Sequence, residues 1–233
     1  VPSVVILSCL FISLWGGSIR FNTPMLFALS FLPMFGIGGL TGLPLGLPLS
    51  DIHLHDTYYV ISHFHYVVAP GTIFAIFAGI YYWFPKVTGK KLNDVLGKIH
   101  FIFSLIFMNG IFFPMLIQGF GGLSRRLADG GVSYAHAQDV IHYNEFISIS
   151  AWLLFLAQLP FIFNIIMTLL SKPKEEVGPN PWQATTMEWA CPSPPVGHGN
   201  FETEPKAYRG PYEYSVPEHD KDFSPQFENL GEK

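Results

Sequence analysis

An uncharged stretch occupies residues 58–84 and reads YYVISHFHYVVAPGTIFAIFAGIYYWF. A transmembrane helix requires about 20 predominantly apolar residues, so this stretch is long enough to cross a bilayer. Its apolar residues follow one another continuously, without the period-two alternation that marks the strands of a membrane barrel. The stretch therefore predicts a membrane-spanning α-helix with two histidines, His63 and His65, near its beginning.

Three further apolar segments of sufficient length lie at 24–43, 99–121 and 143–170, and residues 1–15 form a shorter one that cannot cross alone. The sequence therefore predicts an all-α integral membrane bundle over residues 1–171, with four full transmembrane helices plus the end of a fifth. Residues 172–233 are rich in Pro, Gly and charge. We expect them to form an extended polar C-terminal tail that lies over a partner surface or is partly disordered.

The composition supports a membrane location and argues against a nucleic-acid partner. Only 13% of the residues are charged, which is about half the share of a soluble domain, and 49% are hydrophobic. The net charge is -4 and the sequence has no basic stripe that could contact the phosphates of a nucleic acid, so an extended nucleic-acid interface is not expected.

The positive charges fall unevenly on alternate sides of the predicted spans. Cytoplasmic or matrix loops carry the excess of Lys and Arg, so the richer side is expected to face inward. That side holds seven cations, and the other holds two: Arg20, Lys86, Lys90, Lys91, Lys98, Lys172 and Lys174 against Arg125 and Arg126. The loops 44–57 and 122–142 are therefore predicted to face outward, and the tail inward.

His63 and His65 are the first candidates for metal ligands. Residues two apart on a helix lie about 200 degrees apart around its axis, so the two imidazoles point to nearly opposite sides and cannot easily share one metal. A single intramembrane His could be a hydrogen-bonded core residue. Two of them among aromatics favour function, since ionisable groups are rarely kept at this depth without one. Neutral imidazoles suit iron, and flat aromatic neighbours suit a porphyrin.

A second candidate group precedes the same helix and consists of Asp51, His53, His55 and Asp56. A carboxylate and an imidazole at a helix entrance are compatible with a simple N-cap and a solvated neighbour. They are equally compatible with part of a magnesium or manganese site, which would need further oxygen ligands from water or another chain.

The third candidate group is the pair Arg125 and Arg126, which stands against the positive-inside trend. Bidentate pairing with carboxylates such as porphyrin propionates would explain two guanidinium groups at an outer membrane face. The alternative is a solvated loop pair neutralised by Asp129.

Several stretches together resemble the C-terminal part of subunit I of the haem-copper cytochrome c oxidases. They cover almost the whole chain: 22–29 (NTPMLFAL), 36–42 (GIGGLTG), 51–66 (DIHLHDTYYVISHFHY), 92–94 (LND), 98–100 (KIH), 112–114 (FFP), 122–126 (GLSRR), 180–182 (NPW) and 185–189 (TTMEW). The pattern HDTYYVxxHFHY with the later Arg pair is the most specific of them.

The resemblance implies a role for each candidate residue. His63 corresponds to the proximal ligand of the high-spin haem, and His65 to an axial ligand of the low-spin haem. His55 and Asp56 correspond to the magnesium or manganese site, which a carboxylate of subunit II completes. Arg125 and Arg126 correspond to the pair that binds haem propionates, and Asp51 would lie in the same polar layer and is counted with the cofactor-binding residues.

The resemblance also implies what this chain lacks. The copper ligands and the second axial ligand of the low-spin haem belong to the N-terminal part of the family's subunit, so activity requires that part as a partner. Aligned on Gly16 and Gly17, Ile6 falls where many members carry the lysine of a proton-uptake pathway. We therefore expect the C-terminal portion of an enzyme subunit, and the usual form of that pathway is not expected here.

The resulting expectation is a terminal respiratory oxidase that passes electrons from cytochrome c to dioxygen, forms water and pumps protons. It would contain two haems, taken as type a, with copper in the N-terminal part and Mg or Mn at the outer face. Its partners would be subunit II, subunit III, cytochrome c and membrane lipid, in a bacterial plasma membrane or a mitochondrial inner membrane. A quinol oxidase of the same superfamily and a non-catalytic haem-binding membrane module remain as alternatives.

Overall fold

The computed structural model describes residues 2–171, 177–201, 203–210, 213 and 223–230. Within these residues the chain is helical, and its only β contact is an isolated bridge between Thr57 and Ser124. The helices are, in chain order, α1 (Pro2–Leu14), α2 (Thr23–Leu45), α3 (Pro48–Leu54), α4 (Tyr58–Val68), α5 (Ala75–Thr88), α6 (Asp94–Phe120), α7 (Gln138–Ile141), α8 (Tyr143–Ala157) and α9 (Leu159–Leu170). A π-helical turn, Ala69–Phe74, joins α4 to α5.

Among the described residues, four helical segments are long and apolar enough to cross a membrane: Thr23–Leu45, Tyr58–Thr88, Asp94–Phe120 and Tyr143–Leu170. The prediction of an all-helical membrane bundle with four full spans is therefore confirmed. The shorter apolar helix α1 precedes them and buries none of its side chains within the described chain.

The starts of three spans follow from capping side chains. Asn22 Oδ1 accepts a hydrogen bond from the Met25 amide at the start of α2. Thr57 Oγ1 accepts one from the Tyr59 amide before α4, and Asn93 Oδ1 accepts two at the start of α6. Each cap satisfies amides that the first helical turn leaves without a partner.

Two boundaries differ from the sequence-based expectation. The second span was expected to end before Pro85, but it continues to Thr88 and ends at Gly89, whose positive φ of 68° terminates the helix. Pro85 lies in the last turn, and membrane helices tolerate such a proline where neighbouring groups satisfy the carbonyl that it frees. The predicted loop 44–57 contains helix α3, which Pro48 begins and which ends one residue before His55.

The spans pack around α6, which contacts α4, α8, α9 and α2. The core between α2, α4 and α6 contains Phe27, Met34, Tyr66 and Met108, each at most 4% exposed. Small residues bring the backbones together, since a Cβ added at Gly38 would lie 2.8 Å from the Val67 amide nitrogen.

The bundle has two ends, which we call the Asp56 end and the tail end. The Asp56 end holds residues 46–57 and 121–142, joined by the Thr57–Ser124 bridge. The tail end holds residues 15–22, 89–93 and 177–201. There, Trp182 Nε1 donates to Tyr82 O at 2.9 Å, and the fully buried Trp189 stacks on Trp83.

The described part of the tail thus packs on the chain's own helix α5. The partner surface that the sequence suggested for the tail stays a prediction. The orientation argument also used Lys172 and Lys174, and both lie outside the described residues.

Candidate metal centre

His63 lies on α4 and is turned toward α2. Its Nδ1 is 2.8 Å from Gly38 O and 3.2 Å from Thr41 Oγ1. A carbonyl oxygen can only accept a hydrogen bond, so Nδ1 carries the ring proton and Nε2 keeps its lone pair. Nε2 has no hydrogen bond with the described residues, which leaves it available to a ligand.

His65 has the same arrangement on the opposite side of α4. Its Nδ1 is 2.7 Å from the carbonyl oxygen of Ile61, one turn earlier in the same helix. The ring stacks on Phe112 of α6, with 4.8 Å between ring centroids and 21° between planes. Its Nε2 likewise makes no hydrogen bond within the part of the chain that the structure describes.

The two histidines therefore face different neighbours, His63 toward α2 and His65 toward α6. This matches the opposition of about 200 degrees that helical geometry gives to residues two apart. Phe64, between them, is 42% exposed. The helix changes to its π-helical turn at Ala69, four residues after His65, and such turns are frequent at functional sites.

A third intramembrane histidine, His100 of α6, provides a contrast. Its Nδ1 is 3.1 Å from the Tyr81 hydroxyl, and its Nε2 is 3.0 Å from Gln158 Oε1. The side chain is fully buried. With both ring nitrogens engaged, His100 joins α5, α6 and the α8–α9 junction and has no lone pair to offer a metal.

At the Asp56 end the structure brings together two groups that the sequence analysis treated separately. Arg125 forms an ion pair with Asp56, in which Nε donates to Oδ1 at 2.6 Å, and the Arg125 amide donates to Asp56 O at 2.8 Å. The Arg125 hydrogen bond holds the pKa of the Asp56 carboxyl below its usual value. His55 Nε2 lies 3.4 Å from the other carboxylate oxygen of Asp56.

The remaining predicted residues of this end are less tightly connected. Asp51 Oδ2 is 4.0 Å from His55 Nδ1, and the side chains of His53 and Arg126 have no hydrogen bond with a described residue. Arg126 is exposed and has a positive φ of 66°. Asp129 forms no ion pair with the arginines among the described residues.

Asp129 instead organises its own loop. Its carboxylate accepts hydrogen bonds from the amides of Gly131 and Ser133. The hydrogen bond from Ser133, which has the largest effect, and the one from the Gly131 amide lower the pKa of Asp129 to about 2. The alternative in which Asp129 neutralises the Arg pair therefore finds no support in the described contacts.

Within the described residues, no three His, Cys, Asp or Glu side chains converge as a complete metal site. His63, His65 and the pair His55 and Asp56 each offer one or two ligands. Any metal held here needs further ligands from a cofactor, solvent or another polypeptide.

Comparison with known proteins gives a consistent result. The sequence profile of the family described as cytochrome c and quinol oxidase polypeptide I matches residues 1–156. Cytochrome c oxidase subunit 1 of Synechocystis sp. is 44% identical over 88% of this chain, which corresponds to 35% of that protein. The alternative cytochrome c oxidase subunit 1 of Bradyrhizobium diazoefficiens is 44% identical over 92% of this chain and 36% of that protein.

A solved structure, that of a haem-copper terminal oxidase dimer, shares the fold with a TM-score of 0.57 at 22% identity. The match covers 66% of this chain and 28% of that one. The chain thus spans about a third of the length of the curated relatives that it matches.

Proposed function

The chain belongs to the family of cytochrome c and quinol oxidase polypeptide I, and on that premise we propose that it is the C-terminal part of the catalytic subunit of a terminal respiratory oxidase. In this proposal the complete complex passes electrons from cytochrome c to dioxygen, forms water and pumps protons. The matched relatives are named cytochrome c oxidase subunit 1, which favours cytochrome c over quinol as the electron donor.

One observation carries the proposal, namely the state of the two histidines of α4. Each fixes its Nδ1 on a backbone carbonyl, Gly38 O for His63 and Ile61 O for His65, and leaves Nε2 without a partner among the described residues. A metal-ligating His characteristically donates the N–H of its other ring nitrogen to such an acceptor. This hydrogen bond fixes the tautomer and raises the basicity of the ligating nitrogen. The residues therefore fit a group that takes one imidazole on each side of the helix.

We assign the two nitrogens to two haems. His63 Nε2 would hold the high-spin haem iron, whose neighbouring copper is bound by the N-terminal part of the subunit, and His65 Nε2 would hold the low-spin haem iron. Bound haem and copper supply the redox chemistry of dioxygen reduction. The residues of this chain hold and orient the irons, and Phe64 separates the two ligand positions.

The Asp56 end would hold the polar edge of this site. His55 Nε2 and Asp56 Oδ2, 3.4 Å apart, are proposed to contribute to a magnesium or manganese site that a carboxylate of subunit II completes. Arg126, exposed and without a described hydrogen-bond partner, is the better placed of the two arginines to reach a propionate. Arg125 is already paired with Asp56, and Asp51 would belong to the same polar layer.

The partners and location follow from the same proposal. The N-terminal part of subunit I, subunit II and subunit III would surround the exposed apolar faces of these spans in a respiratory membrane. The haems are proposed to be of type a, and cytochrome c would deliver electrons through subunit II.

A reduced-minus-oxidised optical spectrum of the purified complex that contains this chain tests the proposal. We expect separate low-spin and high-spin haem signals, and cytochrome c oxidation that consumes dioxygen. A complex without haem absorption would contradict the proposal and favour a non-catalytic role. Oxidation of quinol without a dinuclear copper site in subunit II would favour the quinol oxidase alternative.

A further inference from the structure

Three residues of the α2 stretch 36–42, GIGGLTG, lie next to the His63 ring: Gly38, Thr41 and Gly42. A Cβ added at Gly42 would meet His63 Cε1 at 2.8 Å, and one added at Gly38 would meet the α4 backbone at Val67. No side chain larger than hydrogen fits at either position without displacement. The His63 ring therefore lies directly on the α2 backbone, and its Nδ1 is also 3.2 Å from the hydroxyl oxygen of Thr41.

Thr41 and Gly38 share the proton of His63 Nδ1. Thr41 Oγ1 donates its own proton to Gly38 O at 2.8 Å, so the hydroxyl turns its lone pairs toward other donors. His63 Nδ1 lies 3.2 Å from that oxygen and 2.8 Å from Gly38 O. The ring N–H is thus held by two acceptors, and the hydroxyl donation to the carbonyl polarises the Thr41 oxygen as an acceptor.

From this geometry we propose that Thr41 is a positioning residue for His63, one that fixes the ring plane and strengthens Nε2 as an iron ligand. The proposal rests on the proposed function, in which His63 ligates the high-spin haem iron. The two acceptor oxygens lie 2.8 Å apart, and together they restrict rotation of the imidazole about its bond to Cβ more than Gly38 O alone does. Each acceptor also draws the Nδ1 proton away from the ring and increases electron donation from Nε2.

Removing the hydroxyl has two opposing effects. One acceptor of Nδ1–H disappears, which weakens electron donation from Nε2, and one donor to Gly38 O disappears, which frees that carbonyl to bind the ring more strongly. The carbonyl already contacts Nδ1 at 2.8 Å and can gain little. The loss of the second acceptor therefore dominates, and the iron–histidine bond is expected to weaken.

The chain provides a matched control on the same helix. Ser30 donates its hydroxyl to Phe27 O at 3.1 Å, three residues back, as Thr41 does to Gly38 O. Ser30 is buried and makes no hydrogen bond with His63. Ser30→Ala therefore removes the same type of intrahelical hydrogen bond without touching the ring.

Resonance Raman spectroscopy of the reduced, intact complex measures the effect directly. Thr41→Val is expected to lower and broaden the iron–histidine stretching band of the high-spin haem, whereas Thr41→Ser and Ser30→Ala keep the parental band. Redox titration of the same samples should show a higher potential for the high-spin haem in Thr41→Val only, since a weaker donor stabilises the ferric state less. Thr41→Ala gives the same comparison if the β-branched variant does not assemble.

The outcomes separate the two proposals. In the first outcome, His63→Gly removes the band and added imidazole restores it, which supports His63 as the ligand. If the band is nevertheless unshifted in Thr41→Val and Thr41→Ala, only the role of Thr41 is overturned. A band that persists in His63→Gly without imidazole would overturn the assignment of His63 and, with it, the proposed ligand. An equal shift in Ser30→Ala would mean that helix distortion, and not the ring contact, causes the change, and would also overturn the role of Thr41.

Discussion

The histidines within the membrane-spanning helices differ between the two ends of the bundle. Toward the tail end, His100 has both ring nitrogens engaged, and the Asn164 amide bonds to the backbone N–H and C=O of Asn93. Toward the Asp56 end, His63 and His65 each engage one nitrogen and leave the other without a partner among the described residues.

We propose that this difference separates structural histidines from histidines that bind a ligand. A buried polar group without a partner is costly, so a saturated group such as His100 can hold helices together by itself. A half-engaged imidazole in a membrane-spanning helix is, by the same argument, a candidate for completion by a group outside the chain. Aromatic neighbours do not make this distinction, because His100 also lies between aromatic rings, those of Phe77 and Phe161.

The largest expected effect comes from removing one of the half-engaged imidazoles. His65→Leu should abolish the low-spin haem signal, since a six-coordinate iron that loses an axial ligand cannot keep that spin state. His63→Leu should keep the low-spin signal and abolish dioxygen reduction, because the two rings face different helices. Optical spectra and oxygen consumption of the two purified variants check both results.

The comparison between the ends would fail if His65→Leu kept full low-spin absorption. Equal loss of both haems in each variant would indicate collapse of α4 in place of two separable sites. If α4 collapses in this way, the double variant with both His63→Leu and His65→Leu should show the same loss of haem signals as each single variant.

The saturated histidine should behave in the opposite way. His100→Leu removes the hydrogen-bond partner of the Tyr81 hydroxyl and of Gln158 Oε1, which lie on different helical segments. The loss is expected to destabilise the bundle by about 1–2 kcal/mol, the range of interhelical hydrogen bonds in membranes. Thermal denaturation of the purified complex should show the lower midpoint while both haem signals persist.

His53→Leu is the matched control, since His53 is exposed and has no described hydrogen bond. An unchanged midpoint in His100→Leu, or a specific loss of one haem, would remove the distinction between the two kinds of histidine.

The sequence determined the parts of this comparison that depend on neighbours along the chain. Long apolar runs located the four spans, and helical geometry placed His63 and His65 on different sides of α4. The saturation of His100 could not be predicted, because its partners Tyr81 and Gln158 are 19 and 58 residues away. The pairing of Asp56 with Arg125 spans 69 residues and was missed for the same reason.

A smaller effect distinguishes the two arginines of the Asp56 end. The pKa of Asp56 is lowered in the folded chain by Arg125, so the contact stabilises the fold above the unfolded pKa of about 3.9 and the gain disappears as the pH falls through the lower, folded pKa. Arg125→Gln should therefore be less stable than the parent at neutral pH, and the difference should shrink on acidification. Denaturation midpoints measured from neutral to acidic pH check the trend.

Arg126→Gln is the control for that experiment, because Arg126 forms no described ion pair. Its stability should follow the parent at every pH, and only a haem potential should fall, since a positive charge near a propionate favours the reduced iron. Identical pH curves for the parent and Arg125→Gln would mean that Asp56 is not paired in the complex.

The smallest effect on the whole molecule is expected at the tail end, where Lys86 is 6% exposed. Its Nζ donates to Pro179 O at 3.0 Å and to Cys191 O at 2.7 Å, and it lies 5.0 Å from the ring centroid of Trp189. The ammonium thus binds two points of the tail that are separated along the chain, much as His100 binds two helices. Because these contacts saturate it, Lys86 should hold the tail and leave the haem sites unaffected.

Lys86→Met keeps the length of the side chain and removes its three donors. Opening of residues 177–201 should become easier by a factor of about ten, which corresponds to ~1.4 kcal/mol for charge-assisted hydrogen bonds. Limited proteolysis of the purified complex should cut this stretch faster, with unchanged haem spectra and turnover. Lys91→Met, which loses only an exposed contact with Trp182, should keep the parental rate. Equal cleavage rates in Lys86→Met and the parent would show that Trp189 and Trp182 hold the tail without the Lys86 ammonium group. A changed haem spectrum in Lys86→Met would show that the tail end is coupled to the histidines of α4.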